Sequence, residues 1–146
     1  MPARILFAAS FALSLTAGAR FAGAQGNDAP PRVAGSYAVK FDQVANNCAK
    51  AGMSLSSSTV DLSQPKARSV SVTIPSVPIM GGSVSRGGKF RAVAKRGKTA
   101  IQGVDGRFSV AGRVERGTIH FLFIAEYFEG DKPLCTQSWN ATGPRR

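Results

Sequence analysis

Between Gly35 and the C-terminus, apolar and polar residues alternate with a period of two, and no long stretch keeps the 3.6-residue repeat of an amphipathic helix. Each alternating run predicts a half-buried strand. Tyr37, Val39 and Phe41 share the inward face of the first, opposite Ala38, Lys40 and Asp42. Met53, Leu55, Val60 and Leu62 carry a second run around a polar Ser56-Ser57-Ser58 centre, and Val70, Val72 and Ile74 a third that stops at Pro75 and Pro78. Phe90, Ala92 and Ala94 alternate with Lys89, Arg91 and Lys95 in the next. A short strand is predicted over 99–102, framed by turn signals at Arg96-Gly97 and Asp105-Gly106. Phe108, Val110, Gly112 and Val114 carry another, Thr118 to Phe128 the longest and most apolar, and Leu134 to Ala141 the last. Only Gln43 to Ala51 has a helical alternative, with Asp42 as N-cap and Gly52 as the stop.

About eight short strands joined by Gly-bearing turns predict an all-β domain. A single small antiparallel up-and-down β-barrel suits them best, because closure removes both exposed sheet edges. The alternative is a two-sheet β-sandwich. An immunoglobulin-type sandwich places its Trp between two paired Cys, whereas Trp139 here follows Cys135. Gly35-Ser36-Tyr37 opens the first strand where lipocalin-like barrels carry Gly-x-Trp, and in this the chain resembles that family. Tyr stands where the family has Trp, and no site residue is carried over with the resemblance.

The first 24 residues have a different pattern: Arg4, an apolar run from Ile5 to about Ala17, then small residues up to Ala22-Gly23-Ala24. That layout predicts a secretory signal peptide over 1–24. About thirteen apolar residues are too few for a span, which needs roughly 20, so no transmembrane segment is expected. Residues 25–34, rich in Pro, Gly, Asn and Asp, read as a disordered lead-in, and 35–146 as a single β domain. Export, to a periplasmic or extracellular location, changes the meaning of the two cysteines. Cys48 and Cys135 are expected to pair, since thiols in an oxidising compartment form disulfides and neither lies in a C-x-x-C motif.

The 146 residues carry 19 Lys and Arg against 8 Asp and Glu, a formal charge of +11 that becomes +9 once Arg4 and Arg20 leave with the leader. Much of the excess is local. Arg86, Lys89, Arg91, Lys95, Arg96 and Lys98 form a candidate basic strip, with no acid between Asp61 and Asp105. Such a strip either keeps a solvated sheet from aggregating or docks a polyanion. Nucleic acid is not the expected partner, because base stacking needs interleaved aromatics and Phe90 alternates to the opposite face. Lys95-Arg96-Gly97-Lys98-Thr99 ends like a phosphate-binding loop, but β-branched and Gly-broken sequence follows where that loop needs a helix, so it reads as a hairpin turn.

Tyr37, Phe41, Phe90, Phe108, Phe121, Phe123 and Tyr127 all alternate inward and are the candidate lining of a ligand pocket. The strand 118–128 also carries Leu122, Ile124 and Phe128 on its other face, which suggests a covering segment or a homodimer. His120 is the only His, so no metal site is expected, no cofactor is called for, and no nucleophile-base pair can be assembled. The resulting expectation is a non-enzymatic exported protein that binds a small apolar or amphipathic ligand. The alternative is a basic-surface interaction module or inhibitor docking an acidic envelope polymer or protein.

Overall fold

The computed structural model describes residues 30–146; the expected signal peptide and residues 25–29 of the lead-in lie outside the described residues. Eight strands follow one another: β1 (Gly35–Asn46), β2 (Ser57–Lys66), β3 (Ser69–Thr73), β4 (Met80–Val84), β5 (Lys89–Lys98), β6 (Val104–Glu115), β7 (Thr118–Glu129) and β8 (Lys132–Pro144), with a single 3₁₀ turn at Arg86–Gly88. Each pairs antiparallel with the next, and β1 also pairs with β8, from Lys40 opposite Thr142 to Asn46 opposite Gln137. That last ladder closes the ring. The up-and-down architecture is therefore present, and the two-sheet sandwich is excluded.

Three local expectations are corrected, the first in the second run, where β2 begins only at Ser57 and Met53 and Leu55 lie in the connection before it. Gln43 to Ala51 forms no helix: β1 runs on to Asn46, with Gln43, Ala45 and Asn46 laddered to β8 and Val44 left over as a bulge. Long-range backbone pairing with β8 overrides the local N-cap signal at Asp42. The stretch 99–102 is a turn, in which Val104 N–H donates to the Ile101 carbonyl at 3.1 Å. In its place Met80–Val84 supplies a strand, paired with β3 and β5. Gly81 and Gly82 give that segment no alternation to read. Gly82 suits it because a Cβ there would overlap the Arg91 carbonyl oxygen of β5.

Inward side chains fill the ring. Phe123 and Trp139 stack at 5.4 Å, Phe41 and Phe121 meet edge-on at 6.0 Å, and Phe90 lies 6.3 Å from Phe121. Gly112 alternates to the same side, and its missing side chain is required. A Cβ there would overlap Phe121 and the His120 carbonyl of β7.

One end of the ring is closed by the chain entering β1. Val33 is buried, its N–H donates to Gln64 Oε1 at 3.0 Å, and the Tyr37 hydroxyl donates to its carbonyl at 2.7 Å. Arg145 lies over the Tyr37 ring and donates from Nη2 to the Tyr37 oxygen at 2.9 Å. The last residues of the lead-in are thus anchored, although their composition alone reads as disordered: one apolar residue, Val33, has a place in the core. At the other end Cys48 is bonded to Cys135, joining positions 87 residues apart.

Replacing both cysteines with alanine is expected to cost about 2–5 kcal/mol, read as a lower urea midpoint with a steeper slope, because the unfolded chain without the crosslink exposes more surface. Gly112→Val should cost about 1–3 kcal/mol through overpacking. A Gly112→Val melting temperature equal to that of the parent would show that β7 does not approach as closely as described.

Candidate functional site

Antiparallel strands in a ring send alternate connections to opposite ends. The β1–β2, β3–β4, β5–β6 and β7–β8 connections gather at the end away from Val33, and they form its mouth. The longest, 47–56, is tied down at three points: the Cys48–Cys135 bond, Asn47 Oδ1 accepting Thr136 N–H at 2.8 Å, and Gln137. Gln137 is buried and clamps the Met53 backbone, its Oε1 accepting Met53 N–H at 2.9 Å and its Nε2 donating to Met53 O at 3.1 Å. Gly52 beside it has φ +128, and a Cβ would press on Gln137 Oε1 at 2.8 Å. Gln137 is a polar residue on the inward face of β8, and satisfying it positions the loop.

Across the mouth, Val77 N–H donates to Ile74 O at 3.1 Å, closing a turn with Pro75 and Ser76 at its centre. Ser76 takes φ +65, where Gly or Asn is usual. The 99–103 turn is fastened by Thr99, whose hydroxyl donates to Val104 O at 2.8 Å. Between these walls is a cavity of about 290 Å³, lined by Met53, Ser76, Pro78, Ile101, Phe108 and Tyr127, with Lys98 also facing it. Its size is at the small end of the range for ligand sites, roughly 300–1,000 Å³.

Two residues of this lining stand out for their polar groups. Lys98 has no ion-pair partner among the described residues, since its cross-strand neighbour Asp105 is bonded to Arg96 at 3.2 Å. The Tyr127 hydroxyl is buried with no hydrogen-bond partner among the described residues. An unpaired buried hydroxyl costs about 1–3 kcal/mol. Burial also raises the Tyr127 pKa, because the phenolate would be desolvated.

The structure separates the residues singled out in the sequence. Of the seven aromatic candidates, Phe108 and Tyr127 line the mouth, in edge contact at 6.2 Å. All seven are buried in one core cluster, and Tyr37, Phe41, Phe90, Phe121 and Phe123 do not line the mouth cavity. The basic strip also divides. Arg86 is in the 3₁₀ turn, Lys89, Arg91 and Lys95 stand exposed on the outer wall of β5, and Lys98 reaches the mouth. Alternation alone would send Arg96 inward with Ala92 and Ala94. The register shift between Ala94 and Gly97 turns it out, where it bonds Asp105 and the Gly130 carbonyl and lies 4.4 Å over the Phe128 ring. Arg107 covers the same ring at 5.5 Å and pairs with Glu126 at 2.7 Å.

Arginines of the chain itself thus cover Phe128 on the second face of β7. Leu122 remains 37% exposed and Val93 51%, flanking a shallow groove. His120 is on the outer wall, its Nδ1 3.2 Å from Thr142 Oγ1. Met53, Pro78, Gln137 and Ser76 escaped the sequence reading as site residues because three are in connections and the fourth is a lone polar residue in a strand. Among the described residues, no helix is long and apolar enough to cross a membrane. Compared with known protein families, curated proteins and solved structures, the chain shows no significant match.

Because burial raises the Tyr127 pKa, its stability contribution is intact below the unfolded value near pH 10 and is lost as pH rises above it, where the unfolded chain ionises first. Thermal melts between about pH 8 and 11 should fall more steeply for the parent than for Tyr127→Phe. Parallel curves would show that the hydroxyl is solvated.

Proposed function

We propose that this protein binds a small amphipathic molecule at the barrel mouth and acts as a binding protein rather than an enzyme. The apolar part of the ligand packs on Met53, Pro78, Ile101 and Phe108. Its polar head carries an acceptor for the Tyr127 hydroxyl and a negative charge or dipole for Lys98. The observation that carries this reading is a largely apolar mouth cavity with Tyr127 among its lining residues, whose buried hydroxyl has no hydrogen-bond partner among the described residues. An acceptor on the ligand would supply the missing hydrogen bond and return part of its desolvation cost.

Binding is favoured over catalysis because the groups that could do acid-base work are engaged elsewhere. His120 faces Thr142 on the outer wall, and Glu126 is held by both Nε and Nη2 of Arg107. The Cys48–Cys135 bond supports a role in an oxidising, exported location.

An anilinonaphthalene sulfonate, an apolar ring system with one anionic head, tests the site by fluorescence. One equivalent should bind, and Tyr127→Phe should weaken it about tenfold, the loss of one hydrogen bond of about 1.4 kcal/mol. The same substitution should leave the unliganded protein as stable as the parent or about 1 kcal/mol more stable. Unchanged affinity in both Tyr127→Phe and Ile101→Asp would rule out the mouth as the site.

A further inference from the structure

We propose that the closed end of the barrel, opposite the mouth, is a docking surface for a linear anionic polymer bearing repeated phosphate-like groups. The ring topology collects at this end both termini of the described chain and the β2–β3, β4–β5 and β6–β7 connections. The entering segment contributes Arg32, the β2–β3 connection Lys66 and Arg68, and the β4–β5 connection Arg86 and Lys89. The β6–β7 turn adds Arg116, and the C-terminus Arg145 and Arg146. All eight residues are exposed, and the one acid in these stretches is Glu115, itself 3.8 Å from Arg113.

The mouth end differs. Its connections, with the strand residues flanking them, hold Lys50, Lys98 and Lys132 against Glu129 and Asp131. Counted over the described residues of these connections and their flanks, the side-chain charge is therefore +7 at the closed end and +1 at the mouth. A total of +11 says nothing about this polarity; the topology creates it.

The basic connections form one surface. Arg32 and Lys66 line a common cleft, Val84 N–H donates to the Arg68 carbonyl at 3.0 Å, and Lys89 lies opposite Arg113. Arg145 N–H donates to Gly117 O at 2.7 Å, and Arg146 N–H to Ser36 O at 2.8 Å. From the end the charge continues up the wall, where Lys89 and Arg91 with Ser83 and Ser85 border a groove of about 410 Å³. A chain lying across the end could follow that groove.

The chemistry of the surface selects the partner. Six of the eight residues are Arg, whose planar fork matches phosphate oxygens two at a time. Among the described residues the large exposed apolar ones are Val44, Ile79, Val93, Ile101 and Leu122, and none is in the closed-end connections. A bilayer would therefore meet no apolar wedge here. The aromatic rings nearest this end, Tyr37 and Phe90, are buried and cannot stack on bases. Docking through this end leaves the mouth facing away from the polymer, and it does not depend on what the mouth binds.

Long-chain inorganic polyphosphate is the probe, with binding to the chain followed by fluorescence anisotropy at about 0.15 M salt. Lys66→Glu with Arg68→Glu, and Lys50→Glu with Lys132→Glu, change the net charge equally at opposite ends. The closed-end pair should weaken binding about tenfold or more and the mouth-end pair less than about twofold. Equal losses would overturn the proposal, since total charge alone would then explain binding. Binding to phosphatidylserine vesicles without binding to polyphosphate would overturn it in favour of a membrane surface. Tighter binding to a single-stranded oligonucleotide than to polyphosphate of equal charge would overturn it in favour of nucleic acid. Near-ultraviolet circular dichroism from Trp139 checks the fold. If the Glu pair unfolds, Lys66→Gln with Arg68→Gln should give the same selectivity with a smaller loss, and its absence counts against the proposal equally.

Discussion

The ladder between β1 and β8 closes the sheet on itself, so every strand has two neighbours and every connection is sent to one end or the other. An open eight-stranded sheet would expose two rows of unpaired backbone groups and leave its inward aromatics half wet. Closure turns the same side chains into one core, with Phe123 and Trp139 stacked and Phe41 and Phe90 both packed on Phe121. It also explains the failure of the helical signal after Asp42. Residues Gln43, Ala45 and Asn46 are needed to complete the seam, and a one-residue bulge at Val44 was the cheaper adjustment.

Closure makes the two ends different objects. One is filled by the chain itself: Val33 enters the core, the Tyr37 hydroxyl meets its carbonyl, and Arg145 covers the tyrosine ring. The other is kept open by fastening its longest loop to the wall through the disulfide, Asn47 and Gln137. Of the two tyrosines, Tyr37 is fully partnered at the closed end, while Tyr127 at the mouth has a hydroxyl with no partner among the described residues. The charge follows the same division, with arginines concentrated around the filled end.

Most strands could be read from alternation, because an inward residue every second position is what a pleated wall around a core requires. The exceptions have physical causes. Met80–Val84 is a strand with glycines where side chains should report its faces, and its pairing depends on the close approach those glycines allow. Arg96 stands in an inward position until the β5 bulge is known. The cysteine pair was legible from the count and the expectation of export, needing no geometry. The candidate aromatics were correctly placed inside, but alternation cannot say at what height along a barrel a ring sits, and of the seven buried rings Phe108 and Tyr127 are the two that also line the mouth cavity.

Local chemistry alone determined a good deal: strand periodicity, turn positions and an apolar inward face point to an all-β domain, with a ring favoured over a sandwich, and two cysteines were expected to pair. Tertiary structure decided which end is filled and which is open, which loop Gln137 holds, and where the cations gather. These are relations among residues 30 to 110 positions apart, such as Val33 with Gln64, Met53 with Gln137 and Tyr37 with Arg145. Such relations leave no periodic trace in a chain, because each arises only when the closing ladder brings distant connections to one end.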